Sequence, residues 1–139
     1  MTNYPGTEWQ VESVASVTDG DTVRLIRSRV VEIDGRSYRI TDDEPKGIPI
    51  RLVWVDTPER GQHPGWEKAR DDLREWLAPW MVLGSDGRPM TDIAGQLRVV
   101  CYESGGWDRL MGDLLDTDGN SASQWLMTER GWPPYVKGK

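Results

Sequence analysis

Hydrophobic and polar positions along this chain first change their period beyond Pro58. Before it, short apolar runs rich in β-formers alternate with turn residues. EWQVESVASV (8–17) and DTVRLIRSRVVEIDG (21–35) flank an Asp19-Gly20 turn. RSYRI (36–40) returns after Asp34-Gly35, a second hairpin signal. TDDEPKGIP (41–49) predicts an acidic, solvated loop carrying Asp42, Asp43 and Glu44. IRLVWV (50–55) is a β run stopped by Pro58. After Pro64, apolar residues fall at Trp66, Ala69, Leu73, Trp76, Leu77 and Trp80, which is helical spacing with one buried face. Glu67, Lys68, Arg70, Asp71, Asp72, Arg74 and Glu75 take the other face. SDGRPMTD (85–92) reads as loop, and QLRVVCY (96–102) and 109–115 as strands. A turn at Asp118-Gly119 leads to a short helix over 121–130, with Ser121 and Gln124 as a capping box and Gly131 as its stop. GWPPYVKGK reads as an irregular tail.

The order is about five strands, with a helix inserted before the last two and a second, short helix after them. That is a mainly β, α+β chain. Five strands that curl to remove their open edges predict a small barrel, for which the OB-fold is the natural candidate at 139 residues. No repeats or linkers divide the chain, so a single domain is expected over 1–139, with its core at about 8–135.

Composition narrows the chemistry. Cys101 is the only cysteine, which removes intrachain disulfides and cysteine-based metal clusters. It reads as a small buried hydrophobe. His63 is the only histidine, so multi-histidine metal sites are excluded, and His-Pro fits an extended loop. With eight Trp and no Phe, the aromatic core must be built largely from Trp, including those of the first helix. No apolar run reaches the roughly 18–20 residues that span a membrane. MTNYPGTEWQ has neither a basic n-region nor an apolar h-region, so a cytoplasmic protein without membrane association is expected. A net charge of −6 argues against broad affinity for nucleic acid but leaves room for a small basic site.

Three stretches carry candidate chemistry. VTDGDT can be simply a hairpin turn. If the strand begins at Asp21, however, that carboxylate shares a face with Val23 and Leu25, and an inward acid is costly unless paired or bound to a cation. RLVWVDTPER (51–60) opens with an arginine in an otherwise apolar strand and closes with Asp56 and Glu59. Arginine is rare inside a strand without a partner. Parity places Arg51 and Asp56 on opposite faces, so a bend near the strand end is needed to join them. WDRLMGDLL (107–115) again opens an apolar run with an arginine, Arg109, which could equally be a surface residue.

Together and in this order, VTDGDTVRL, RLVWVDTPE, DRLMGDLL and an ERGW helix end resemble the staphylococcal (thermonuclease-like) nuclease family over roughly residues 8–135. The resemblance implies an OB-fold barrel that hydrolyses DNA and RNA with Ca²⁺. It implies Asp21 and Asp56 as calcium carboxylates, the Thr57 backbone carbonyl as a third ligand, Glu59 as general base, and Arg51 and Arg109 as phosphate-binding groups. Tyr135 would stack on a base. The family shows Tyr-Gly-Arg where this chain has Trp107-Asp108-Arg109; Trp107 can still stack, and Asp108 adds a negative charge beside the arginine. Residues 41–49 form an enlarged excursion, and the family's final helix has no counterpart.

The chemistry of these groups is consistent with the implied role. Three carboxylates and two arginines leave a negative cleft that repels a phosphodiester, and a divalent ion reverses the sign. Carboxylate and carbonyl oxygens are hard ligands that suit Ca²⁺ or Mg²⁺, and irregular loop-derived geometry leans to Ca²⁺. The expectation is a metal-dependent nuclease with nucleic acid as substrate. The competing reading is a nuclease-like OB module that binds nucleic acid or a protein without cleaving, motivated by the net acidity, Asp108 and the short C-terminus. A nuclease that works only within a larger complex is a third.

Overall fold

The computed structural model describes residues 6–81, 97–102 and 110–135. Its strands are β1 (Thr7–Asp19), β2 (Thr22–Ile33), β3 (Arg36–Thr41), β4 (Ile48–Leu52), β5 (Arg98–Tyr102) and β6 (Leu110–Leu115). Helix α1 (Trp66–Leu77), continued by a 3₁₀ turn over Ala78–Trp80, lies between β4 and β5, and helix α2 (Ala122–Thr128) follows β6. Neighbouring strands run β1-β5-β6-β4-β2, and β1 pairs β2 to close the ring. The result is the expected mainly β barrel of OB-like class, with five strands in the closure. All its pairings are antiparallel except β4 with β6. No helix among the described residues is long and apolar enough to cross a membrane.

Strand β3 stays outside the ring. β2 pairs β4 through Thr22–Leu25 and then β3 through Ser28–Ile33, so the second half of β2 leaves the barrel as a hairpin arm. Its tip is Asp34-Gly35, with φ of 52° and 78°. Positive φ at both central residues is what a two-residue type I′ turn needs, and Asp-Gly supplies it at low cost.

The core gathers the inward residues of the strands, among them Val11, Val17, Val23, Leu25, Ile50, Leu52, Val99 and Leu114. Leu73 and Leu77 of α1 and Leu126 of α2 cover it. Helix α1 starts later than the predicted 64–80 span. Of its tryptophans only Trp80 is buried; Trp66 and Trp76 are half-buried. Asp72, assigned by periodicity to the polar face, is buried instead. It accepts a 2.8 Å hydrogen bond from Trp132 Nε1 and an ion pair from Lys68, so the C-terminal segment has turned a surface acid into an anchor. Ser121 caps α2 as expected, its Oγ accepting from the Gln124 N–H at 3.1 Å, and Gly131 breaks the chain direction with φ 75°.

Two loop expectations change. The predicted Asp19-Gly20 turn moves by one residue. Asp19 and Thr22 are paired, so Gly20 and Asp21 form the two-residue connection and β2 begins at Thr22. Asp42 is not in a solvated loop. Its carboxylate takes the Arg27 N–H at 2.8 Å and the guanidinium at 2.9 and 3.2 Å, with both side chains largely buried.

Candidate functional site

Asp21 is 1% exposed although it stands in a turn. Strand parity is therefore not what buries it. The turn folds down onto β4 and α1: the Asp21 carbonyl accepts from the Leu52 N–H at 2.7 Å. A Cβ on Gly20 would meet Ala69 Cβ at 2.4 Å and Thr57 Oγ1 at 2.8 Å. Only glycine lets this turn lie so close to the helix.

The Asp21 carboxylate has four neighbours. Arg51 Nη1 is 3.2 Å from Oδ2, and the Thr57 N–H donates to the same oxygen at 3.2 Å. Thr22 Oγ1 donates to Oδ1 at 3.3 Å. Asp19 lies alongside, its Oδ1 accepting from the Asp21 N–H at 3.2 Å and its Oδ2 from the Arg60 N–H at 3.3 Å. Burial, and then the Asp19 carboxylate, push the Asp21 carboxyl up to about 7, against the opposing pull of Arg51 and the Thr57 N–H. Asp21 is thus a carboxylate with too little positive charge around it.

Arg51 reaches the other side as well: its Nη2 is 3.8 Å from Asp56 Oδ1. The bend that parity demanded is present. β4 ends at Leu52, and Trp54 sits at φ 70°. A left-handed residue inverts the alternation and returns Asp56 to the arginine. The segment after α2 holds the bend in place. The Asp56 N–H donates to the Pro133 carbonyl at 2.8 Å, the Tyr135 N–H to the Trp54 carbonyl at 2.8 Å, and Val55 bridges Pro134. What read as an irregular tail is a clamp on residues 54–56.

Of the residues singled out in the sequence, Asp21, Arg51, Asp56 and Thr57 are brought together. Glu59 stands exposed at the start of the next loop, its backbone fixed by Gln62 through two 2.8 Å hydrogen bonds. Tyr135 is 50% exposed, with its ring centroid 5.7 Å from the Arg51 guanidinium carbon. Arg109 and Trp107 lie outside the described residues, as does Asp108. Asp19 is a site residue that sequence reading spent on the turn. Its signal was available, since it precedes Asp21 by two residues. His63 is an exposed loop residue, as expected, and borders a groove of about 590 Å³ beside Asp56 and Thr57.

The donor set fits a hard divalent cation in chemistry. Asp21 and Asp56 both face the Arg51 guanidinium, Asp19 lies beside Asp21, and all their donors are oxygens. Thr57 Oγ1 is buried there without a hydrogen-bond partner. Among the described residues no group of three or more His, Cys, Asp or Glu side chains is arranged to hold a metal ion. A cation here would take backbone carbonyl and water as its remaining ligands.

Compared with known proteins, the chain matches no family model and no curated protein.

Proposed function

We propose that this protein is a metal-dependent nuclease, hydrolysing phosphodiester bonds of DNA or RNA, with Ca²⁺ as its cation and Mg²⁺ the less suitable one. The observation that carries this reading is the chain Asp19–Asp21–Arg51–Asp56, in which Arg51 faces the buried, under-compensated Asp21 on one side and, across the strained bend at Trp54, the exposed Asp56 on the other. Asp21, Asp56 and the Thr57 carbonyl would hold the ion. When bound, it would neutralise the carboxylate surplus and polarise a phosphoryl oxygen.

The chain's own groups do the rest. Arg51 is only 12% exposed, so its hydrogen bonds act in a low-dielectric setting. It would donate to the non-bridging oxygens as negative charge builds on them, with Arg109 as the second cationic donor. Glu59 would take the proton of a water attacking phosphorus as the leaving oxygen departs. Trp107 and Tyr135 would contact the nucleotide.

Incubating the protein with single-stranded DNA, with Ca²⁺ or with EDTA, tests this reading. Cleavage with calcium and none with EDTA is expected. Glu59→Gln should lower turnover by roughly 10²–10⁴-fold. No calcium-dependent cleavage would sink the enzyme reading.

One observation favours a non-catalytic binding module. Arg51 Nη1 already donates to the Leu52 and Val55 carbonyls, at 2.8 and 3.3 Å, besides facing Asp21. An arginine committed to its own protein in this way is a poor phosphate donor until something displaces those contacts. Binding of DNA without cleavage, with and without calcium, is the outcome that reading requires.

A further inference from the structure

The hairpin arm that leaves the barrel has two unlike faces. Directly opposed residues of β2 and β3 share a face. On one, Arg39 pairs with Glu12 and donates to Ser28 Oγ at 2.9 Å. The other face continues the inward side of β2. Beyond Val23 and Leu25 in the core, it runs on through Arg29, Val31 and Ile33, opposed by Ile40, Tyr38 and Arg36. Four of the six large apolar side chains that stand exposed among the described residues are on the arm, and Ile33, Tyr38 and Ile40 are on this one face. Its arginines, Arg29 and Arg36, join no ion pair among the described residues.

The edge beside that face is open too. β3 has β2 on one side and no described strand on the other. The Asp42 N–H donates to the Arg27 carbonyl at 2.9 Å, which sets the phase of the ladder. Ile40, Tyr38 and Arg36 therefore turn their amides towards β2, and Ser37, Arg39 and Thr41 turn theirs outward. A row of outward amides and carbonyls is a template for another strand.

Charge and area select the occupant. β3 carries two arginines and no acid, so a second copy would set arginine against arginine. Three cross-strand pairs cover roughly 200 Å², against about 800 Å² per partner in a standard interface. That suits a short extended segment, held by its main chain, better than a globular surface. Nucleic acid would match the arginines but leave the carbonyl row without donors and Ile33 and Ile40 uncovered.

We infer that the outer edge of β3 docks an extended, acidic segment of a protein partner as an added strand. Its acids meet Arg36 and, on the opposite face, Arg39, and its apolar side chains cover Tyr38 and Ile40.

The probe is a fluorescein-labelled, end-capped peptide, Thr-Val-Glu-Val-Thr-Glu, written to oppose Thr41 back to Arg36 in an antiparallel ladder. Saturable binding to the full chain is expected by anisotropy. Lysine in place of both glutamates should weaken it at least about tenfold, as should Arg36→Glu with the original peptide. N-methylation of the first, third and fifth peptide residues, whose N–H groups would face β3, should abolish binding; methylation of the second, fourth and sixth should keep most of it. Ser37→Pro removes an outward amide without touching the β2 ladder and should cost roughly tenfold. No binding of the glutamate peptide, equal binding of the two methylated forms, or equal binding of the lysine peptide overturns the inference. Labelled oligothymidylate that binds wild type and is lost on Arg36→Glu would assign the face to nucleic acid and overturn it as well. Should Ser37→Pro not fold, the methylated peptides on wild type make the same comparison. None of these outcomes depends on cleavage, so they are read separately from the nuclease proposal.

Discussion

Two arginine–carboxylate clusters sit about 20 Å apart along the barrel portion of β2, and they are built to opposite rules. Arg27 faces one acid. Asp42 receives both sides of the guanidinium and the Arg27 N–H; Arg27 Nη1 donates to Cys101 Sγ at 3.2 Å, and the Trp9 ring stacks on the guanidinium at 4.0 Å. Burial alone would lower the Arg27 pKa, but the Asp42 and Cys101 contacts outweigh it and raise the value. Arg51, by contrast, is shared between Asp21 and Asp56, with Asp19 behind, and Asp21 is left half-protonated near neutrality. The same residue types give a saturated pair at Arg27 and an unsaturated one at Arg51. Counting ligands, rather than noting that acids and arginines are buried, is what separates structure from candidate chemistry.

The comparison breaks first at the saturated end. Arg27→Met leaves Asp42 buried and unpaired, and should cost about 3–5 kcal/mol in urea unfolding. Cleavage should survive where the variant is folded.

The unsaturated end should respond in the opposite sense. The Asp21 carboxyl is raised from 3.8 to about 7, so the folded protein holds a proton that the unfolded chain releases. Without calcium, this group's contribution therefore falls as pH rises from about 4 to 7 and is flat above. Asp21→Asn should remove that slope and stabilise the calcium-free protein at pH 8 by up to about 4 kcal/mol, at about 1.4 kcal/mol per pKa unit. It should also abolish stabilisation by calcium. A variant less stable than wild type at pH 8 would show that Asp21 is adequately paired after all.

Arg51→Lys separates charge from geometry. A lysine keeps the charge but not the planar fork that reaches two carboxylates, and turnover should fall about 10²-fold, near 3 kcal/mol. Full activity would remove Arg51 from transition-state binding. The smallest effect belongs to the arm, away from both clusters. Gly35→Ala places a Cβ in open space but at φ 78°, so it should cost about 1 kcal/mol with turnover unchanged.

Much of this was legible in the sequence, because local rules act on neighbours. Alternation and turn chemistry marked the strands, the Asp34-Gly35 tip, the Ser121 cap and the Gly131 stop. Parity alone placed Arg51 and Asp56 on opposite faces and so required a bend between them. What the residues could not show locally was cost and partner. Asp42 looks like one of three loop acids, until Arg27 is found fifteen residues away in sequence and at hydrogen-bond distance. Asp72 has the spacing of a surface residue, until Trp132 reaches it from the far end of the chain.

By itself, then, the sequence determined the mainly β plan, the helix between the strands and the residue types at the candidate site. Only the tertiary structure decided that β3 lies outside the barrel, that Asp21 is buried through a turn rather than a strand, that Trp54 carries the bend, and that the segment after α2 clamps it. The reason is range. Periodicity and turn preference depend on a few adjacent residues, whereas burial, charge balance and the partner of a polar group depend on what the rest of the chain brings to the same place.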